Sequence, residues 1–441
     1  MSLGLQSTRS PDTKDGRSYD LLSPSRLDLD HFYESRVTES WGSLPVCRPL
    51  DHTMFHALDE YVSQKLPTES IYDALLKGIH IEVHGIHPRH LPAVSSSLGI
   101  EDLRCVHGDS HPCKKVFNYI RPSFCRARRN GREVLIAAVV PGKDYVRHYA
   151  GLIRHFVFTH TFRAESHIDI FRYPDAERSI PAWSGLDHRF TPKGGTVVIG
   201  YVDEIARYLH ELERCAPISR MENSSFGALH YELPDGRPLT LLGVKYSFWG
   251  SISASLCRAF CQLGTQEILY VGKLGALERA SDVYTRIFCP SSFVVLDHKQ
   301  IVESSFSISN GLLDVMPALD TRCHVSVPTV LEEDYVQRQT ASTLGATSID
   351  NEISQIAAFV RDHNAHSTSP VRFSALHFAT DYVRSSSDRH VRCPLDLSNN
   401  RLRVAREKKD SMLRHMAQQH LFPYLGLRKS SRYESATSCP T

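Results

Sequence analysis

The chain has 441 residues, 41% of them hydrophobic and 23% charged, so it can bury a large core and divides into two or more domains. Lys plus Arg number 51 against 49 for Asp plus Glu, which leaves no overall field for nucleic acid or an anionic membrane. The longest clean apolar runs, such as residues 134–140, fall far short of the roughly 18 residues of a spanning helix, and the start MSLGLQSTRS lacks an apolar signal core, so a cytoplasmic protein is expected.

Residues 1–28 are rich in Ser, Asp, Arg and Pro with little apolar periodicity, and read as disordered. Met54, Leu58, Tyr61 and Val62 recur at helical spacing, and a second short helix is expected over 69–77. Alternation then takes over. Ile79, Ile81 and Val83 read as a strand, as do 134–140, 156–162 and 168–171. This half, residues 29–189, reads as an α+β domain of unknown role, closed by a polar break at 173–193 where Pro174, Pro181, Pro192 and Gly194 cluster.

Two features of this half could carry chemistry. Cys105, His107, His111 and Cys113 in CVHGDSHPC are residue types that suit zinc, but their spacing is not a standard ligand pair and no second pair follows at finger distance. They read as surface-loop residues, and no metal is expected. The 11 cysteines are scattered and suit reduced thiols better than a disulfide framework. The second feature is the basic run Arg121, Arg126, Arg128, Arg129 and Arg132, whose planar guanidinium groups suit phosphate but equally make a solvated loop.

Past the break, residues 196–199 form a β-branched strand ending in Gly200, followed by Val202, Ile205, Leu209 and Leu212 at helical spacing. An apolar run over 241–244 leads through Trp249 and Gly250 into a helix carrying Ile252, Leu256, Phe260 and Leu263, with Gly264 as its stop. A short strand over 268–271 then ends in Gly272-Lys273-Leu274-Gly275, which reads as a loop whose glycines let backbone N–H groups approach a ligand. Further strands are expected at 293–296, 323–327 and 371–378. A helix capped by Ser348 or Asp350 carries Ile353, Ile356, Ala357 and Val360, and a long one covers 402–420.

In this order, the Gly200 strand end, GSISAS, VGKLGAL, SIDNE and ALHFATD resemble the purine nucleoside phosphorylase and nucleosidase superfamily over roughly residues 190–425. The resemblance implies a three-layer αβα nucleoside-phosphorylase-like domain with a mixed central sheet over 190–426, preceded by the α+β domain in an AMP-nucleosidase-like layout; the Ser/Arg-rich composition of 427–441 reads as a mobile tail. It places Glu352 at the family's sugar-binding glutamate and Asp381 at the aspartate that assists departure of the base. Gly200, Gly250, Gly272, Lys273, Gly275 and Asn351 fall at the positions lining the substrate site. Breaking an N-glycosidic bond builds positive charge on the sugar and negative charge on the base, so an acid at the base and a fixed sugar both lower the barrier.

The departures from the pattern favour hydrolysis. Tyr270 and Lys273 stand where phosphorolytic members have an arginine and a Ser or Thr. Asp203 and Glu204 follow the first strand where phosphate would need a cation, and resemble the carboxylates that position water in nucleosidases. Asn351 replaces the usual Met. The expected partner is a nucleoside or nucleotide. Arg126, Arg128 and Arg129 are candidate phosphate contacts, no metal or organic cofactor is implied, and the family's habit is a homo-oligomer. Two alternatives stay open: phosphorolysis with Lys273 supplying the charge, and a degenerate domain that binds a nucleoside and regulates.

Overall fold

The computed structural model describes residues 23–427 except 41–43, 45–46, 55–56, 109–116, 161–167, 174–175, 298–299, 315–318 and 392–401. His111 and Cys113 of the candidate zinc motif and the expected tail beyond 427 lie outside the described residues.

Regular structure begins earlier than composition indicates. Helix α1 (Arg26–Glu34) is fixed by a capping box in which Ser25 and Asp28 satisfy each other's backbone N–H groups. After β1 (Val37–Ser40) come α2 (Ala57–Lys65), α3 (Thr68–Leu76), β2 (His80–His84), α4 (Leu91–Val94), β3 (Ile100–His107), β4 (Ser123–Arg129), β5 (Arg132–Ala138), α5 (Lys143–His160) and β6 (Ile168–Arg172). The strands form one sheet in the order β1-β6-β2-β5-β4-β3, with β2 parallel to both β5 and β6. Helix α5 makes the crossover from β5 to β6, and Tyr145, Tyr149, Leu152, Ile153 and Phe156 on it are buried.

Of the alternation over 156–162 that predicts a strand, residues 156–160 are therefore the last turn of this helix, and 161–162 lie outside the described residues. A window that short holds one turn, in which periods 2 and 3.6 look alike; the stripe begun at Tyr145 decides the matter.

The second half contributes α6 (Ile180–Ser184), β7 (Thr196–Gly200), α7 (Val202–Glu213), β8 (Ser219–Glu222), β9 (Phe226–Glu232), β10 (Pro238–Val244), α8 (Ser251–Gln262) and β11 (Glu267–Ala276). These are followed by β12 (Ile287–Phe288), β13 (Ser292–Asp297), β14 (Gln300–Ser307), β15 (His324–Ser326), α9 (Tyr335–Thr343), β16 (Ser348–Asp350), α10 (Ile353–His366), β17 (Arg372–Tyr382) and α11 (Arg403–Met416). Their sheet runs β14-β13-β15-β16-β11-β7-β10-β9-β8, and β17 pairs with β11 and β12. Strands β10, β7, β11 and β17 are mutually parallel neighbours, while the hairpins and the β11–β16 pair are antiparallel, so the sheet is mixed.

Alternate residues of the central strands serve different cores. Val197, Ile199, Ile268, Tyr270, Phe373 and Ala375 face α8 and α10. Val198, Leu269, Val271, Leu376 and Phe378 face α7 and α11. Helices on both faces of the mixed sheet make a three-layer αβα unit.

Residues 272–275 belong to β11, which pairs with β17 over its whole length, and are not the loop that the glycines predict. The glycines serve close packing here. A Cβ at Gly272 would meet His377 Nε2 at 2.4 Å, and one at Gly275 would meet Val383 at 2.6 Å.

The two sheets share one core, in which Val146, Tyr149 and Leu152 of α5 join Ile252 and Leu256 of α8. Asp144 adds a polar link, accepting hydrogen bonds from Ser251 N and Ser251 Oγ at 2.8 Å each and so capping α8 from the other half. Among the described residues no helix is long and apolar enough to cross a membrane.

Candidate functional site

Parallel strands deliver their carboxyl ends to one edge, and the loops that follow them are held there by the sheet. A cavity of about 680 Å³ lies at this edge of the second sheet and is closed on one side by the first half. Of the candidate residues, Asp203, Glu204, Gly272, Lys273, Gly275, Asn351, Glu352 and Asp381 line it. They come from the start of α7, the end of β11, the turn into α10 and the end of β17.

Gly200 and Gly250 shape the site from behind. At Gly200, φ is +101° and a Cβ would lie 1.9 Å from the Val271 carbonyl oxygen, so only glycine allows the turn into α7. At Gly250, φ is +60°, and its N–H donates to the Asn351 carbonyl at 2.7 Å. That bond ties the turn before α8 to the turn carrying Glu352. Asn351 Nδ2 in turn donates to the Val327 carbonyl at 3.0 Å.

The N-cap residue of α10 is Glu352, neither of the two expected, both of which lie in β16; Asp350 nevertheless organises the entry with its side chain. Asp350 accepts from Glu352 N at 3.0 Å and from Ile353 N at 3.1 Å, leaving the Glu352 side chain to face the cavity. Asp350 is itself buried against His324 Nε2 at 2.8 Å and Ser326 Oγ at 2.5 Å. Burial alone would raise its carboxyl, but His324 and these hydrogen bonds outweigh burial and hold it below the ordinary range.

Glu352 is the opposite case. Enclosure, then the neighbouring Asp350 charge, push its carboxyl well above the ordinary 4.5. Glu333, also on the cavity wall, is raised well above 4.5 by burial and then by Asp381 and Asp350. Lys273 reaches into the cavity, touched by the solvent there but walled by protein. That enclosure lowers its ammonium, while Asp381 and Glu352 pull the other way. Thr380 Oγ1 donates to Asp381 Oδ1 at 2.8 Å, and Lys409 on α11 lies 3.5 Å from Glu204. The arrangement thus holds carboxyls of different proton affinity around one space, which is what acid–base chemistry needs.

Three of the candidates lie elsewhere. Arg126 pairs with Asp73 at 2.6 Å and with Glu133, Arg128 with Asp102 at 2.5 Å, and Arg129 with the buried Glu82 at 3.1 Å. They tie β4 to its surroundings and do not line the cavity, so the expectation of phosphate contacts is corrected: each met a carboxylate on α3, β2, β3 or β5. Arg121, from the same basic run, does line the cavity, with Lys65 of α2. Sequence reasoning also missed Glu333 and Lys409 there, and no local pattern marks either. Cys105 and His107 lie on β3, and no group of three metal-ligating side chains occurs among the described residues.

No protein-family model matches the chain. A curated relative, the oxidoreductase cns1 of Cordyceps militaris, is 29% identical over 374 residues, covering 81% of this chain. The chain spans 47% of that relative's length. Among solved structures, an MTA/SAH nucleosidase overlays 54% of this chain and 98% of its own at 11% identity and TM-score 0.37. Futalosine hydrolase of Helicobacter pylori overlays 52% and 98% at 11% identity and TM-score 0.37. A uridine phosphorylase of Phytophthora capsici overlays 55% and 95% at 10% identity and TM-score 0.38.

Proposed function

We propose that the cavity cleaves the N-glycosidic bond of a nucleoside or nucleotide, by hydrolysis. The observation that carries this reading is the convergence of Asp203, Glu204, Glu352 and Asp381, four carboxyl groups from three segments distant in sequence, on one cavity at the carboxyl edge of the sheet. In this reading Asp381 gives a proton to the departing base, Glu352 takes the sugar hydroxyls, and Asp203 or Glu204 orients the attacking water. Preorganised groups aimed at charge that develops only in the transition state are the largest source of rate. Lys273 lines the same space, where its charge steadies the negative charge of the leaving base.

Phosphorolysis is the second reading, favoured by the entry of Arg121 and Lys273 into the same cavity. Incubating the purified protein with a panel of nucleosides and nucleotides, with and without phosphate, separates the two by the release of free base. Base released without phosphate supports hydrolysis; release only with phosphate replaces it by phosphorolysis; no free base from any substrate removes both. A homo-oligomer belongs to the same reading and is tested by size-exclusion chromatography with light scattering.

A further inference from the structure

The wall that the first half gives the cavity differs in charge from the wall opposite. Among the described residues its charged members are Lys65 and Arg121, and its other lining groups include Asn118 and Tyr119, so it brings cations and hydrogen-bond donors. The second half brings the carboxyl groups together with Lys273 and Lys409.

Arg121 is held on a built support. Asn118 N donates to the Val244 carbonyl, and Tyr119 N and Ile120 N donate to that of Lys245, each at 2.8 Å. Arg121 Nη1 then donates to Asn118 Oδ1 at 3.0 Å, an oxygen that also accepts from Ser247 Oγ at 2.7 Å. The segment is thus pinned to the end of β10, and the guanidinium is pre-oriented at little entropic cost on binding. The charge of Arg121 adds to the lowering of the Lys273 ammonium that enclosure by the cavity walls begins, so two like charges share the cavity.

We propose that Lys65 and Arg121 form a phosphate-binding subsite on the first-half wall of the cavity. A guanidinium fork and an ammonium on one wall of the cavity supply the charge and the donors that a phosphate dianion takes. The dianion is either the phosphate ester of a nucleotide or a free phosphate ion. What an esterified phosphate is attached to rests on the glycosidic reading above; the subsite itself does not.

The test is calorimetric binding of inorganic phosphate, nucleoside 5′-monophosphates and the parent nucleosides to the wild type, to Lys65→Gln, to Arg121→Gln and to the double variant. Circular dichroism and melting check the fold, and Arg121→Lys serves as the conservative control should Arg121→Gln misfold. Each lost contact is expected to weaken phosphate-bearing ligands on the order of tenfold relative to the parent nucleoside, with Arg121→Lys intermediate. Dependence seen for monophosphates alone assigns the subsite to the substrate's ester; dependence for inorganic phosphate that competes with them assigns it to the free ion as well. Equal binding by wild type and double variant, or no phosphate-dependent binding to the wild type, overturns the proposal. Phosphate binding that depends on Lys65 and Arg121 with no base released from any substrate removes the glycosidic reading alone. Base release without that dependence removes the subsite alone.

Discussion

Individual carboxyl groups in this cavity differ because their surroundings differ. Asp350 is held below the ordinary carboxyl range by His324 and its other hydrogen-bond donors, and Glu352, two residues on, is left to the enclosure and to the Asp350 charge. If ribose hydroxyls donate to Glu352, they stabilise its carboxylate, so a ribonucleoside binding near neutral pH should release protons. Calorimetry in buffers of different ionisation enthalpy measures this, and a proton count of zero for ribose ligands would put Glu352 out of the sugar contact. Asp381→Asn is expected to lower turnover about 10²-fold or more while binding persists, because the pocket remains and the proton donor goes. An unchanged rate on a cleaved substrate would take Asp381 out of the mechanism. Glu333 yields a stability prediction. Its folded-state carboxyl binds a proton that the unfolded chain releases, so its contribution is fully present below about 4.5 and is lost as pH rises through its raised folded value. Melting temperature should therefore fall as pH rises through that window, and fall less in Glu333→Gln.

At the scale of elements, two turns decide where the site is. The turn from β7 into α7 needs Gly200, since a Cβ there would overlap the Val271 carbonyl at 1.9 Å on top of the strained φ. Gly200→Ala is expected to cost more than about 2 kcal/mol in a denaturant titration. The start of α8 needs Asp144 from the other half, because Ser251 N has its acceptor there and Gly250 N is already committed to Asn351. Asp144→Ala should cost about 1 kcal/mol, the usual worth of a helix cap. A loss within measurement error would mean that water replaces the carboxylate. The same accounting explains why Gly272 and Gly275 sit inside a strand: β11 and β17 lie close over His377 and Val383, and only the absence of a Cβ allows it.

For the whole molecule, the two sheets are separate in hydrogen bonding but continuous in core. Apolar residues of α5 and α8 are buried against one another, and each such fully buried side chain contributes roughly 1.5–3 kcal/mol that neither half retains alone. The chain should consequently unfold in one transition, with far-UV circular dichroism and tryptophan fluorescence coincident. Two resolved transitions would show that the halves fold independently. The shared core also explains how the first half reaches the cavity: Tyr61 and Lys65 ride on α2, which packs against α5, and residues 117–121 are hydrogen-bonded to the end of β10.

The amino-acid sequence by itself determined the αβ grammar of the second half, because strand runs ending in glycine and helices with one apolar stripe are local patterns, readable over 196–264 and 348–378. Asp203, Glu204, Lys273, Glu352 and Asp381 were singled out by the resemblance those runs carry and not by the runs themselves, and that they line one cavity came from the fold. Local pattern failed where the deciding partner lay far along the chain. Whether Gly272 to Gly275 was loop or strand depended on β17, a hundred residues away, and the turn at 156–160 depended on a stripe begun well before it. Only the tertiary structure assigned the arginines, because charge in a sequence says nothing about which carboxylate will stand opposite. Arg126, Arg128 and Arg129 found theirs within the first half, and Arg121, a few residues earlier, was carried by the docking of its segment on β10 into the cavity.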